Sequence, residues 1–527
     1  MSKMELKSTS ADRYRMMASA ASGLLLTAAF PRLEMAFLAW VALVPLLAAS
    51  HDLPTGDRFR LGFITGLAHY LTLIYWLIPT MQTYGGIPVL LAIPILFLLA
   101  AYLALYPAVF AAAAAPLGKK PAAALFVFPA LWVTLEYLRS TLLSGFPWEL
   151  LGYSQYGWRT LIQVADITGV YGVSFLLVMG NTAVFFVALH LTGKKWRGKS
   201  VNRPIAAGSL AAVIVLAAGV LLYGNWRIQA VEGEMAAAPT TRAAVVQGNI
   251  EQTLKWDPAF QTRTVRKYVD LSVSLSANKP DLVIWPETAT PFYLLKDPQL
   301  TRLVMDGIRK SGTDFLIGSP AYRRHNSVVE YFNSAYLISL KEDNFPRYDK
   351  AHLVPFGEYV PLGGWFPFIK KIVQGPGDFR PGKAGETLLW GDISIGVQIC
   401  YEIIFPNLAR AMTRNGAGLL VNITNDAWYG RSSAPYQHFS MAVFRAIENR
   451  RSVVRSANTG ISGFIDPTGR VLAATELFED RVMSRPVPIL RQQSFYVTHG
   501  DAFAALAALL TAVALALSLG RKNRRKH

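Results

Sequence analysis

The sequence predicts a polytopic helical membrane protein of about eight spans that carries an α/β domain on one side of the bilayer. Three observations predict this. Apolar residues make up 52% of the chain and charged residues only 16%, where a soluble domain carries about 25% charged residues. Stretches apolar enough to cross a hydrocarbon core, which takes about 20 residues as a helix, fill most of residues 1–223 and return near the C-terminus. Between them, residues 224–497 change texture: short β-branched runs alternate with longer amphipathic ones, as in α/β domains.

The apolar stretches fall at 14–30, 34–50, 61–80, 87–116, 121–143, 165–191 and 204–223, with another at 498–520. The first two are short and closely spaced, and a hairpin that re-enters the same face is an alternative there. No clear cleavable signal peptide is present, so the first stretch reads as a retained span. Basic residues orient the chain. With a cytoplasmic N-terminus, the inside segments hold Lys3, Lys7, Arg13 and Arg15, then Arg58 and Arg60, then Lys119 and Lys120, then the run from Lys194 to Arg203, and finally the tail from Arg521 to Lys526. The short outside loops hold only Arg32, Arg139 and Arg159. This asymmetry follows the positive-inside rule. Both termini are therefore expected in the cytoplasm. The expected plan is a helical membrane domain over 1–223, an outer domain over 224–497, a last span over 498–520 and a basic tail over 521–527. The formal net charge of +18 sits in runs beside apolar segments, which suits anionic lipid head groups and excludes nucleic acid as the expected partner.

In the outer domain, strands are expected at Ala243–Gln247, Leu282–Trp285, Phe315–Gly318, Ser334–Ser339, Ile393–Ile399, Gly418–Ile423 and Ser452–Ala457. A hairpin is expected across Pro467-Thr468-Gly469, between Phe464–Asp466 and Val471–Ala473. Helices are expected at Pro258–Ser276, Pro298–Lys310, Asn407–Arg414 and Tyr436–Asn449. No internal repeat, Gly-rich phosphate loop or His pair at metal spacing is present, and no metal or organic cofactor is expected.

The chain has one cysteine, which excludes an intrachain disulfide and a Cys-rich zinc site. Cys400 follows the alternating run Ile393, Ile395, Val397, Ile399, so it falls at a strand end. Two other segments carry matching chemistry. Leu282–Trp285 runs into Pro286 and Glu287, a carboxylate at a strand end, where α/β sheets build their sites. The stretch Tyr348–Glu358 packs Lys350, His352 and Glu358 among aromatic residues and a proline. Taken singly, each has a plainer reading: a solvated loop glutamate, a charged surface loop, a buried structural cysteine. Together they form a set. A glutamate can take a thiol proton, and a lysine can favour the thiolate and hold the oxyanion of an attacked carbonyl.

These motifs, WPE at 285–287, YDKxHLVPFGE at 348–358 and ICYE at 399–402, resemble the Glu-Lys-Cys triad of the nitrilase superfamily. Over nearly the whole chain the order of segments is similar to the apolipoprotein N-acyltransferase family, including Val246–Ile250 with Lys255-Trp256, and Asn422–Gly430. The resemblance implies a four-layer α-β-β-α sandwich for the outer domain. It implies a bacterial inner-membrane acyltransferase with its catalytic domain in the periplasm, working by a ping-pong reaction through a Cys thioester acyl-enzyme, and a monomer is expected. The acyl donor is a phospholipid, typically phosphatidylethanolamine, and the acceptor is the α-amino group of a diacylglyceryl-cysteine on an apolipoprotein. By match, Glu287 is the base, Lys350 the oxyanion stabiliser and Cys400 the nucleophile. Glu358 and Glu402 support them, and Tyr401, Trp256, Trp428 and Tyr429 lie near the acyl or head-group site. Tyr429 departs from the family, some of whose members have Phe there.

Two further segments suit a lipid substrate. Tyr359–Phe379 carries Trp365, Phe366, Phe368, Lys370 and Lys371 with several glycines, and reads as an interfacial arm or as a loop packed over the core. The loop Ser140–Thr160, with Trp148, reads as a floor for substrate or as an interfacial aromatic belt. Two other function classes fit parts of the sequence. A membrane-tethered amidase would use the same triad with water as acceptor. A transporter would need ionisable groups within the spans, and Glu136, near Arg139, is the one that stands out.

Overall fold

The computed structural model describes residues 3–118, 120–326, 328–342, 344–360 and 378–523. Most of the expected arm, including Trp365, Phe366, Phe368, Lys370 and Lys371, lies outside the described residues. The chain divides into two compact units, one of 1–78, 89–227 and 501–527, the other of 79–88 and 228–500.

The first unit is helical. Among the described residues five helices are long and apolar enough to cross a bilayer: Val89–Leu117, Pro121–Ser144, Val170–Leu191, Arg203–Ala237 and Ala502–Leu519. A sixth exists when Thr55–Leu73 and Leu77–Gly85 count as one broken span. This is fewer than the eight apolar stretches. The first stretch forms Lys3–Ala28, whose N-terminal half is polar, and the second gives only the short apolar piece Ala36–Ser50. At about 1.5 Å per residue that piece falls short of a core about 30 Å thick. The apolar stretch ending at 223 belongs to a helix that continues to Ala237, because helix propensity persists where apolarity stops. Large side chains such as Leu90, Leu98, Val215 and Leu222 are exposed on these helices, as expected of lipid-facing surfaces. Close packing relies on small residues: a Cβ at Gly66 would meet the Ala104 Cβ at 2.7 Å. Glu136 is buried and accepts from Trp132 Nε1 (2.9 Å) and the Leu151 amide (2.7 Å). Arg139 donates to the Trp148 carbonyl at 3.1 Å.

The second unit is built on two six-stranded sheets. The first runs in the order Arg481–Pro488, Thr240–Gln247, Leu282–Ile284, Asp314–His325, Val328–Ile338, Arg347–Asp349. The second runs Val471–Ala474, Gly463–Ile465, Ser452–Ala457, Leu419–Thr424, Ile393–Ile399, Leu388–Trp390. Each has three adjacent parallel strands, with antiparallel strands outside them.

Strand alternation sorts the side chains of the first sheet. Ala244, Val246, Val283, Trp285, Phe315 and Ile317 pack in one core with Val265, Tyr268, Val269, Val304 and Ile308 of helices Pro258–Val273 and Pro298–Ser311. The opposite face meets the second sheet. There Gln247 accepts from Ser462 (2.7 Å) and Thr475 (2.9 Å), and Ser456 donates to the Ile284 carbonyl (3.0 Å). Helices Pro406–Arg414 and Ala434–Asn449 pack against the second sheet. The layers are thus α-β-β-α. Strands Leu419–Thr424 and Ser452–Ala457 are buried at every position, so they read as continuous runs and not as alternation.

Candidate active site

The strand Ile393–Ile399 delivers Cys400 into a short turn of helix, Cys400–Ile404. Cys400 has φ +53°, a left-handed conformation that a non-glycine residue adopts at a cost of about 1–3 kcal/mol. Its thiol is buried. The strand Leu282–Ile284 ends before Pro286, and Glu287 follows with only 7% exposure. A Cβ at Gly318 would lie 2.7 Å from the Glu287 Cα, so glycine lets the neighbouring strand approach this turn. Lys350 follows the edge strand Arg347–Asp349 and is 1% exposed.

These side chains meet. Lys350 Nζ lies 2.9 Å from Glu358 Oε2 and 3.9 Å from Glu287 Oε1. The Asn333 side-chain amide bridges the two carboxylates, donating to Glu287 Oε1 (2.7 Å) and Glu358 Oε1 (2.9 Å). The Asn425 backbone amide donates to the other Glu287 oxygen at 3.0 Å, and Val354 N donates to Glu358 at 2.8 Å. Glu287 is close enough to Cys400 for its charge to act on the thiol.

Glu402 joins the lysine segment to the cysteine segment. Its carboxylate accepts from the Ile399, Ala351 and His352 amides (2.7, 2.7 and 3.0 Å) and from the Tyr348 hydroxyl (2.9 Å). Burial pushes it up to about 7, against the pull of these donors. Tyr401 and His352 pack with Phe405. Burial, then Lys350, lowers His352 to about 4, so its ring is neutral.

Burial and then the Glu287 charge raise the Cys400 thiol, while Lys350 and a hydrogen bond with Thr424 lower it. The net direction is up, so the thiol rests protonated beside a carboxylate. For Lys350, burial acts to lower the pKa, but Glu358 and Glu287 overcome it and hold the ammonium charged.

A second lysine, Lys255, is fully buried and donates to the Glu287 carbonyl at 3.1 Å. Burial lowers it from 10.5 to about 8, with Glu287 and Cys400 acting the other way. Its folded value lies below its unfolded one, so the unfolded chain holds the proton more tightly. The penalty is full below about pH 8 and fades as pH rises to 10.5. The stability of Lys255→Met relative to wild type is therefore expected to be more favourable at pH 7 than at pH 10.5, by on the order of 3 kcal/mol. Thermal unfolding of the two proteins at both pH values checks this; a difference that does not change with pH, or changes the other way, overturns it.

The other expected residues are placed as follows. Trp256 is 49% exposed, and Trp428 and Tyr429 are partly buried. The Tyr429 ring stands edge-on to His438 at 6.0 Å. Trp148 lies in the helical unit, fully buried against Trp76 at 4.9 Å. Residues given no role from sequence also hold this site. Asn333 is one, Lys255, named above only within a motif, is a second, and the segment 79–88 is a third. Within the second unit Tyr84 and Thr80 donate to the Ala427 and Trp428 carbonyls (2.8 Å each). The Tyr84 ring packs on Trp428 at 4.8 Å. This anchors the turn that begins at Asn425, whose amide binds Glu287.

A carboxylate, an ammonium and a thiol at the strand ends of a doubled α/β sandwich define the carbon–nitrogen hydrolase class. The sequence model described as Carbon-nitrogen hydrolase matches residues 242–493, and that described as Apolipoprotein N-acyltransferase N-terminal domain matches residues 22–183. An apolipoprotein N-acyltransferase of Geobacter metallireducens is 44% identical over 95% of both chains. One of Methylococcus capsulatus is 34% identical over 97% of both. A solved amidase from Nesterenkonia sp. is 19% identical over 50% of this chain and 94% of its own, with a TM-score of 0.36. The chain belongs to the apolipoprotein N-acyltransferase family, and it is an enzyme.

Proposed function

We propose that this enzyme moves an acyl chain from the sn-1 ester of a phospholipid, phosphatidylethanolamine being the favoured donor, to the α-amino group of the diacylglyceryl-cysteine of an apolipoprotein. The observation that carries this reading is the meeting of Glu287, Lys350 and Cys400 in one buried cluster. It is supported by the family, whose named members are apolipoprotein N-acyltransferases. Glu287 takes the thiol proton as Cys400 Sγ attacks the ester carbonyl. Lys350 stabilises the oxyanion. The C–O bond then breaks, the lysophospholipid oxygen takes the proton from Glu287, and a thioester remains on Cys400. In the second step the neutral amine attacks the thioester carbonyl and gives a proton to Glu287. The C–S bond breaks, and the thiolate recovers that proton. Ester and amine become alcohol and amide, with no change of oxidation state.

In this reading the helices embed the enzyme in the bacterial inner membrane, with both termini cytoplasmic and residues 224–497 periplasmic. The basic residues flanking the apolar stretches support that orientation. Glu358 and Glu402 hold Lys350 and the Cys400 turn in place. Tyr401, Trp256, Trp428 and Tyr429 line the approach to the thiol.

Mass spectrometry of the protein after incubation with phosphatidylethanolamine vesicles tests the first step. The expected result is an adduct of fatty-acyl mass on Cys400, absent from Cys400→Ala. No adduct on the wild type, or an equal adduct on the variant, overturns the reading. Adding a diacylglyceryl-cysteine peptide tests the second step: the acyl mass must move to the peptide. Release of free fatty acid in its place means an amidase-like enzyme with water as acceptor.

A further inference from the structure

Beneath Cys400 lies a buried polar cluster that the reaction above does not use. His438, on helix Ala434–Asn449, is completely buried. Its Nε2 lies 3.2 Å from the Cys400 carbonyl oxygen, and its Nδ1 lies 2.9 Å from Arg455 Nη2 and 3.0 Å from Asp426 Oδ1. Arg455 also donates to Asp426 at 2.8 Å, as does Thr424 at 3.0 Å. A second side chain, Asn422, donates to the Cys400 carbonyl at 3.4 Å.

A carbonyl oxygen only accepts, so His438 Nε2 carries the hydrogen. Burial and the Arg455 charge hold the ring neutral. Its Nδ1 lies within hydrogen-bond reach of both the Asp426 carboxylate and the Arg455 guanidinium, which bind each other, so the ring is held in place from behind.

We propose that His438 is a positioning residue that sets the direction of the peptide unit following the nucleophile, and so aims the Tyr401 amide at the carbonyl oxygen of the bound ester. This rests on the acyl-transfer reading above. The Cys400–Tyr401 peptide is planar and trans, so its C=O and N–H point opposite ways. Two side-chain donors on the C=O, beneath Cys400, turn the N–H to the other side. That N–H opens a short helical turn, where backbone amides have no partner within the turn. The left-handed φ of Cys400 is a strained conformation that needs surroundings to hold it, and His438 supplies the nearer of the two donors.

The test compares two reactions of the same thiol. Acylation by phosphatidylethanolamine builds an oxyanion; alkylation by iodoacetamide does not. His438→Leu and His438→Asn remove the donor at Nε2 and are expected to slow single-turnover acylation on the order of 100-fold. Alkylation should stay within about threefold of wild type, because the transition state there has no oxyanion to orient. His438→Gln, whose side-chain NH2 reaches about as far as Nε2, should recover acylation to within roughly tenfold. Asn422→Leu, which removes the second donor without adding a charge beside the thiol, should give the same split. The proposal is overturned if His438→Leu acylates like wild type, if both reactions slow together, or if His438→Gln is as slow as His438→Leu. A local collapse would expose the thiol and speed alkylation in every variant, which also overturns it. A wild type that alkylates but forms no acyl adduct defeats the acyl-transfer reading instead.

Discussion

Replacing Lys350 by Met is expected to slow acyl-adduct formation on Cys400 by on the order of 10⁴-fold. Two losses combine. The oxyanion loses its cation, which by itself is worth about 10²–10³ in rate. The Glu287 and Glu358 carboxylates also lose the charge between them, keeping only the Asn333 amide as a bridge. Two carboxylates left side by side in a dry site without their cation repel each other, so Glu287 is no longer held in place to take the thiol proton. Met keeps most of the buried volume, but stripping one partner from a buried ion pair costs about 3–5 kcal/mol, and the melting temperature should fall. Single-turnover mass spectrometry measures the rate. A loss below tenfold in a folded variant removes Lys350 from the chemistry.

How much of this was legible in the sequence depends on which physical signal each residue gives. Strands Ile393–Ile399 and Thr240–Gln247 are visible because apolar residues there match burial. The hairpin of Asp314–His325 and Val328–Ile338 is longer than the apolar runs at Phe315–Gly318 and Ser334–Ser339. Its outer part carries Arg323, Arg324, His325 and Glu330, which read as loop but pair strand to strand. Three strands gave no signal: Arg347–Asp349 and Leu388–Trp390 are too short, and Arg481–Pro488 contains Pro486 and Pro488. All three lie at sheet edges, where a missing amide is tolerated.

The site divides the same way. Glu287, Lys350 and Cys400 announce themselves because thiol chemistry needs that set. Asn333 is one polar residue on a strand, and only the fold places its amide between two carboxylates. Lys255 stands out only as part of a motif, and nothing local shows that its ammonium is buried against the Glu287 carbonyl, since lysine is usually exposed. Thr80 is the last residue of an apolar stretch and Tyr84 falls in the gap before the next, and nothing local connects them to residues 427 and 428. The eight apolar stretches report composition. Whether each crosses a bilayer depends on helix length, which breaks at residues 41–43 and 74–76 decide.

The cluster holds its two carboxylates and two lysines so that opposite variants should move the thiol in opposite directions. Glu287→Gln is expected to slow acylation by on the order of 10³-fold, within the usual range for a lost general base. The glutamine keeps an oxygen for one of its two donors, Asn333 Nδ2 or Asn425 N, and turns its NH2 toward the other. That conflict costs about 1–3 kcal/mol, small enough for the fold to persist. The Cys400 thiol responds with the other sign. The Glu287 charge is one of the causes that raise it, after burial, and Lys350 lowers it. Removing the carboxylate should therefore increase the thiolate fraction, and alkylation by iodoacetamide at pH 9 should become roughly tenfold faster. In Lys350→Met it should become slower. Acylation thus falls in both variants while alkylation rises in one and drops in the other. A general loss of structure would move both reactions the same way in both proteins. If Glu287→Gln slows alkylation as much as Lys350→Met does, Glu287 does not act on the thiol through its charge, and the assignment of Glu287 as the base next to Cys400 fails with it.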